Sequence, residues 1–291
     1  MHIETINHFC LGRLGKLNFE NKKLLSPCYL SFLDYLPFSN QIYITERKKQ
    51  KNAIINYGSA FRKFEIDEFG ILPDYNFGFN APTTLIKEAM KKNIEIAESY
   101  PEYGTTARGG KSLALWNEYA DNLKERRLVR IGGAHRLISR PRLFVEVLSY
   151  MREKLNPNSI LYIPGAKPWH IPLMSFLGID LFDNLYAYIA ASKREYLTLR
   201  EAMPLNKMRE LPCSCKICSD RTPEDMSIEE LLRHNQSVIN LSLIEIRESM
   251  RSGSFFNLLE ERSASSQEAS SALRIAYIEK QEILDRYLQV Y

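Results

Sequence analysis

Apolar positions along the chain change their period, and each change predicts an element. Over the first 30 residues, Leu11, Leu14 and Leu17 are punctuated by Gly12 and Gly15, and Leu24-Leu25-Ser26-Pro27 closes the run. That pattern predicts a short β-meander. Residues 46–51 are charged with no apolar period and read as a solvated loop; Asn56-Tyr57-Gly58-Ser59 is a turn signal, and 73–83 is loop-like. Leu85, Ala89, Ile94 and Ala97 then share a helical face and predict a helix over 84–99. From residue 105 the alternation becomes regular. Helices are expected at 111–125, 140–154 and about 169–177, and strands at 128–131, 160–163 and 179–182. Strand, helix and strand joined by short links imply parallel pairing with right-handed crossovers. The expected fold class is α/β: a (β/α) barrel-like domain, incomplete in its units, with a doubly wound sheet as the runner-up.

Composition narrows the class. At 291 residues with 45% hydrophobic and 25% charged positions, the chain has the make-up of a globular protein. No run approaches the roughly 18–20 apolar residues that cross a bilayer, and residues 1–25 lack a signal-peptide core. A net charge of +4 permits a polyanionic partner without demanding one. Of five cysteines, Cys213, Cys215 and Cys218 crowd together. The odd total argues against a disulfide framework and for a metal site in a reducing cytoplasm.

Zinc takes about four N or S ligands in a tetrahedron. Cys213-Ser-Cys215-Lys-Ile-Cys218 supplies three. Ser227-Ile-Glu-Glu230 has the form of a capping box, and the helix it opens carries His234, which completes a closed, structural Zn2+ site. The zinc module is expected over 207–252, behind an α/β domain at 1–206 and ahead of C-terminal helices at 253–291. Ser263 to Ser271 reads as a turn or linker before a last helix at 272–289. His2, His8, His135 and His170 stand alone and carry no ligand pattern.

In α/β barrels the chemistry gathers at the C-terminal ends of the strands. Asp183 falls just past the strand 179–182, where a carboxylate can attack an oxocarbenium-like ribose carbon; such a residue is also a common turn or cap former. Asp180 is expected on the other face, paired or capping.

Residues 178–198 (Gly-Ile-Asp-Leu-Phe-Asp-Asn onward), Leu211-Pro-Cys-Ser-Cys-Lys-Ile-Cys-Ser and Leu231-Leu-Arg-His-Asn235 resemble tRNA-guanine transglycosylases, most closely the archaeal branch of archaeosine synthesis. The resemblance covers about 128–260, extends to Gly12–Leu17, and is poor over 30–104. It implies a barrel with an inserted zinc subdomain, a covalent Asp–ribose intermediate, and tRNA as partner. By motif, Asp183 matches the nucleophile, Gly132 and Gly133 the loop over the base pocket, and Cys213, Cys215, Cys218 and His234 the metal ligands. The chain also departs from the pattern. Asn56-Tyr57-Gly58-Ser59 stands where the family has Asp-Ser-Gly, Asn80-Ala81-Pro82-Thr83 where it has Asp-x-Pro-Thr, and Arg108 where it has a pocket Gln. The segment before Asp183 is also shorter than the family's barrel, which implies missing or rebuilt units.

Two functional readings follow. One is a transglycosylase-like enzyme of archaeosine or deazaguanine tRNA modification, a pentosyltransferase with Asp183 at the target nucleotide. The other is a non-catalytic tRNA-binding or dimerisation subunit, as a homodimer or a heterodimer with a family homologue. An unrelated zinc-stabilised α/β protein is the third. Lys193 and Arg194 are the expected RNA contacts. Arg126, Arg127, Arg130, Arg136, Arg140 and Arg142 are close in sequence and are either a phosphate track at the barrel mouth or a solvated face.

Overall fold

The computed structural model describes residues 1–32, 42–45 and 51–282. The chain begins with the antiparallel meander β1 (His2–Phe9), β2 (Gly12–Phe19) and β3 (Lys22–Ser26). Eight parallel strands follow: β4 (Cys28–Phe32), β5 (Tyr43–Thr45), β6 (Ala53–Asn56), β7 (Gly70–Ile71), β8 (Thr105–Ala107), β9 (Leu128–Ile131), β10 (Ile160–Tyr162) and β11 (Leu181–Asp183). Their order in the sheet runs β7-β6-β5-β4-β11-β10-β9-β8. The two ends meet at a bridge between Ile71 and Gly104, where the Leu72 N–H donates to Gly104 O at 2.8 Å and the Gly104 N–H to Gly70 O at 2.9 Å. The result is an eight-stranded, nearly closed barrel.

All eight strands are therefore present, so of the two alternatives the units are rebuilt and not missing. The chain is shorter because connections have been pared down: residues 57–69, which link β6 to β7, contain no helix. The second half keeps its crossovers, α1 (Thr83–Ser99), α2 (Leu113–Asn122), the short α3 (Ala134–Leu137) with α4 (Pro141–Lys154), and α5 (Ile171–Phe176). After β11 come α6 (Leu185–Ser192), a ribbon of β12 (Glu195–Leu197) and β13 (Ala202–Pro204), and then α7 (Ile228–Ser252), α8 (Phe255–Ser263) and α9 (Gln267–Glu279). The charged stretch expected at 46–51 lies, Lys51 apart, outside the described residues, as does the end of the helix expected at 272–289. The Ser-rich segment is only half a linker. Ser266 accepts from the Ala269 N–H as an N-cap, and the remainder is already α9.

Side-chain alternation divides the core into two layers. Inward residues Leu30, Ile44, Ile54, Leu128, Ile160 and Leu181 fill the barrel, and Ile3, Leu17 and Phe19 of the meander plug its lower end. Outward residues Val129, Ile131, Leu161, Ile163 and Phe182 pack under the helices with Phe144, Leu148 and Met151 of α4. Asp180, just before β11, locks the plug in place. Its carboxylate accepts from Arg13 Nε at 2.7 Å, from Arg152 of α4 at 2.8 Å and from the Leu161 N–H at 3.0 Å. Burial alone would raise its pKa, but Arg13 and Arg152 hold it below the usual carboxylate value. Asp180 is thus paired, as expected, at the end of the barrel opposite to Asp183.

His170, in the single turn Pro168–His170 ahead of α5, is 3% exposed and bonds Ser266 Oγ through Nε2 at 2.9 Å. Burial, and then Lys167, push its pKa down to about 4. The folded state holds the ring neutral while an unfolded ring would protonate below its ordinary 6.5. The stability this confers is present above pH 6.5 and is lost as pH falls toward 4. His170→Gln should therefore flatten that limb of a stability-versus-pH curve by about 2–3 kcal/mol. Parallel curves for the two proteins would contradict this.

Candidate functional site

Three consecutive strands each bring a polar residue to the C-terminal end of the barrel interior. Leu128-Val-Arg130, Ile160-Leu-Tyr162 and Leu181-Phe-Asp183 alternate in step, and Tyr162 pairs in register with Arg130 on one side and Leu181 on the other. Above the apolar layer of Leu128, Ile160 and Leu181 therefore lies a polar layer of Arg130, Tyr162 and Asp183, extended by Thr106 of β8 and Asn56 of β6.

Asp183 is the last residue of β11, 0% exposed, and its oxygens are occupied. Oδ2 accepts from the Tyr162 hydroxyl, and Oδ1 from the N–H groups of Gly165 at 2.8 Å and Leu185 at 3.0 Å. Burial raises its pKa; the Tyr162, Gly165 and Leu185 hydrogen bonds and the Arg130 charge oppose that rise without cancelling it. Burial, and then the Asp183 charge, push the Tyr162 hydroxyl well above its ordinary value. Arg130 donates from Nε to Thr106 Oγ1 at 3.0 Å, and from its terminal nitrogens to Asn56 Oδ1 and Asp74 Oδ1, both at 3.1 Å.

Asp74, 2% exposed, also pairs with Arg108. The sequence reading placed the loss of a carboxylate at Asn56 and Asn80 and did not single out Asp74, which enters the mouth from the loop after β7. Asn80 is exposed on that same loop. Arg108 does lie at the mouth, and Gly132 makes room for it: a Cβ there would sit 2.6 Å from Arg108 Cγ. Gly133 takes φ 73° at the start of α3 and borders a small cleft with Tyr75, Phe79 and Arg108. Arg108, Gly132, Gly133 and Asp183 are thus gathered around the mouth, and Asn80 is exposed on the loop whose Gly78 and Phe79 border the cleft. Inside–outside alternation of the three strands was the signal that could have found Arg130 and Tyr162. Asp74 had none, because a loop has no period.

The arginine run divides between the two ends of the barrel. Arg126 donates to Tyr100 O at 2.9 Å and Arg127 pairs with Glu102, both at the lower end. Arg130 is buried, and Arg142 pairs with Glu279. No continuous phosphate track results. Lys193 and Arg194 follow α6; Lys193 is exposed, and Arg194 donates to Met226 O at 2.7 Å, which ties that turn to the start of α7.

The metal constellation is assembled. One ligand atom each from Cys213, Cys215, Cys218 and His234 lie within 4.8 Å of one another. Both halves of the capping box at Ser227 and Glu230 form, so α7 starts where His234 falls about two turns in. The His234 Nε2–H donates to Leu197 O at 2.9 Å, which leaves the Nδ1 lone pair facing Cys218 Sγ at 3.4 Å and Cys215 Sγ at 3.8 Å. Tyr196 stacks on the imidazole at 3.9 Å, and Asn235 binds the Leu197 N–H and the Glu195 carbonyl. The Cys218 and Ser219 N–H groups both donate to Cys215 O. Three sulfurs and an oriented imidazole nitrogen are a donor set that could hold a metal ion.

Residues 84–268 match the family model described as Queuine tRNA-ribosyltransferase. Archaeosine synthase subunit alpha from Methanosarcina acetivorans is 31% identical over 136 residues, covering 44% of this chain and 22% of the relative. Archaeosine synthase from Methanocaldococcus jannaschii is 31% identical over 143 residues, 49% of this chain and 22% of the relative. The tRNA-guanine(15) transglycosylase of Pyrococcus abyssi is 30% identical over 167 residues, 54% of this chain and 27% of the relative. The chain spans about a quarter of the length of these curated relatives.

Proposed function

The chain belongs to the queuine tRNA-ribosyltransferase family, and on that premise we propose that it serves archaeosine-type tRNA modification by holding tRNA over the barrel mouth without itself exchanging a base. The observation that carries this reading is the state of Asp183. A nucleophile needs a free lone pair and an open line to the ribose carbon. Asp183 is fully buried and accepts three hydrogen bonds. Tyr162 donates to Asp183, and beside it Arg130 is tied to Thr106, Asn56 and Asp74.

One observation favours the catalytic alternative. Asp74 and Asp183 place two carboxylates at strand ends of one mouth, the number that base exchange uses. In that reading Arg130 and Tyr162 swing aside when tRNA or a partner homologue binds.

The two are separated by incubating the protein with tRNA and labelled deazaguanine, alone and with a full-length homologue. Binding without a denaturation-resistant adduct or label incorporation is the expected result. An adduct formed by the protein alone and lost in Asp183→Asn would overturn the reading in favour of the enzyme.

The Cys213, Cys215 and Cys218 thiolates with His234 Nδ1 would hold Zn2+. Bound there, the ion supplies a structural cross-link between the knuckle and α7, and its four protein ligands leave no position for substrate. Lys193, exposed beside that module, would contact the RNA backbone. The surface around α7 would pair with a second copy or a family homologue. Among the described residues no helix is long and apolar enough to cross a membrane, and we place the protein in the cytoplasm with its tRNA.

A further inference from the structure

The two loops that leave the C-terminal ends of β6 and β7 are stapled to each other on the face that carries Asp183. Ser59 and Asp74 form a parallel bridge, the Ala60 N–H donates to Asp74 O at 2.9 Å, and the Asp74 N–H donates to Gly58 O at 3.1 Å. The second loop is also fixed to α1. There Asn93, 3% exposed, accepts from the Tyr75 N–H at 2.7 Å and donates to Tyr75 O at 3.3 Å. This scaffold holds three rings edge to face: the Phe61 centroid lies 5.2 Å from that of Tyr75 and 5.5 Å from that of Phe77. Phe61 is still 58% exposed and Phe77 37%. Rings held out in water on hydrogen-bonded loops are a preorganised surface, and a contiguous apolar patch of this kind marks a contact site.

Cations surround the rings. Lys92 Nζ lies 5.3 Å from the Tyr75 centroid, and the Arg140 guanidinium 5.6 Å from that of Phe79 on the same loop. Arg62 and Lys63 are exposed immediately after Phe61. Among the described residues none of these four cations is in an ion pair, while the two loops expose the acids Glu65 and Asp67. Asp67 accepts from the Tyr57 hydroxyl at 3.1 Å, and Asp74 is buried against Arg108 and Arg130. An aromatic patch bordered by unpaired positive charge complements a polyanion that carries flat rings of its own.

We propose that this face is a stacking platform for unpaired bases of RNA, with Phe61 and Phe77 taking the bases and Lys92 and Arg62 the phosphates between them. Every base has a π-face, so such stacking tolerates any sequence but needs a strand whose bases are splayed out. Paired bases in a duplex keep their faces covered and cannot reach the rings. The platform flanks the mouth and holds the strand on either side of whatever nucleotide sits there. That the RNA is tRNA rests on the function proposed above; the preference for unpaired bases does not.

The test is fluorescence anisotropy of labelled oligoadenylate, its duplex with oligouridylate, and unmodified tRNA. Wild type is compared with Phe61→Ala, Phe61→Trp and Lys92→Ala, all at exposed positions, with melting curves to confirm that each variant folds. Oligoadenylate is expected to bind more tightly than the duplex. Phe61→Ala should lose about tenfold in affinity, Phe61→Trp should keep it, and Lys92→Ala should lower the salt slope by about 0.7. If wild type and Phe61→Ala bind oligoadenylate equally, or the duplex binds as well as the single strand, the platform is overturned; tRNA binding in the same experiment would leave the proposed function standing. Oligoadenylate binding that Phe61→Ala weakens, with no binding of tRNA, keeps the platform and removes that function. Self-association that Phe61→Ala abolishes, with no RNA bound, assigns the face to a second copy of the chain and overturns the proposal.

Discussion

Cys215→Ser is expected to strip the protein of its metal and lower the melting temperature by about 10 °C or more. Structural zinc contributes apparent binding energies of about 10–16 kcal/mol in isolated modules, and much of that is folding energy. Here the cross-link would fasten the 213–218 knuckle to α7, and His234 and Asn235 of α7 in turn fasten β12. Releasing the ion would leave three thiols around a buried imidazole and loosen both attachments. The checks are metal content by mass spectrometry and calorimetric melting. A wild-type protein purified without a stoichiometric metal, or a serine variant that melts with it, would refute the assignment.

Asp180→Ala should cost about 3–5 kcal/mol, because it leaves the guanidiniums of Arg13 and Arg152 buried without their counter-charge. Both are almost wholly inside, with side chains 3% and 9% exposed. The loss should appear as detachment of the N-terminal meander, read as faster hydrogen exchange in β1 and β2 than in β9 and β10. The same pair gives a pH signature. Asp180 has its folded pKa depressed, so its contribution is full above the unfolded value and declines as pH falls through the folded one. Asp180→Asn should remove that acid limb. A variant of wild-type stability at neutral pH would show that the plug is held by Ile3, Leu17 and Phe19 alone.

Much of the second half of the fold was legible in advance. Apart from β8 and the short α3, which the pattern did not predict, the helices and strands from residue 83 to 183 lie within a few residues of where apolar period and glycine punctuation put them, since each buries one face against a sheet. The first half of the barrel was not. Strands β5 and β7 are so short that period-2 alternation has no length in which to show, and their parallel partners are distant in sequence. The shortness of the segment implies missing or rebuilt units; the chain keeps the strands, and residues 57–69 link β6 to β7 without a helix. Helices α6 and α8 and the β12–β13 ribbon also went unread: α6 is apolar almost all round and shows no face.

Local rules were sufficient for the metal ligands. Spacing on a knuckle and a capping box on a helix are short-range constraints, so Cys213, Cys215, Cys218 and His234 could be named before any coordinate. The mouth is different. That Asp183 is sealed, that Arg130 stands between it and Asp74, and that the arginine run splits between two ends all depend on strand register and barrel closure. Those are contacts between residues far apart in the chain. The linear sequence determined which groups could bind metal and which strand would carry an acid; only the closed barrel decided that the acid is held by a tyrosine and two backbone amides.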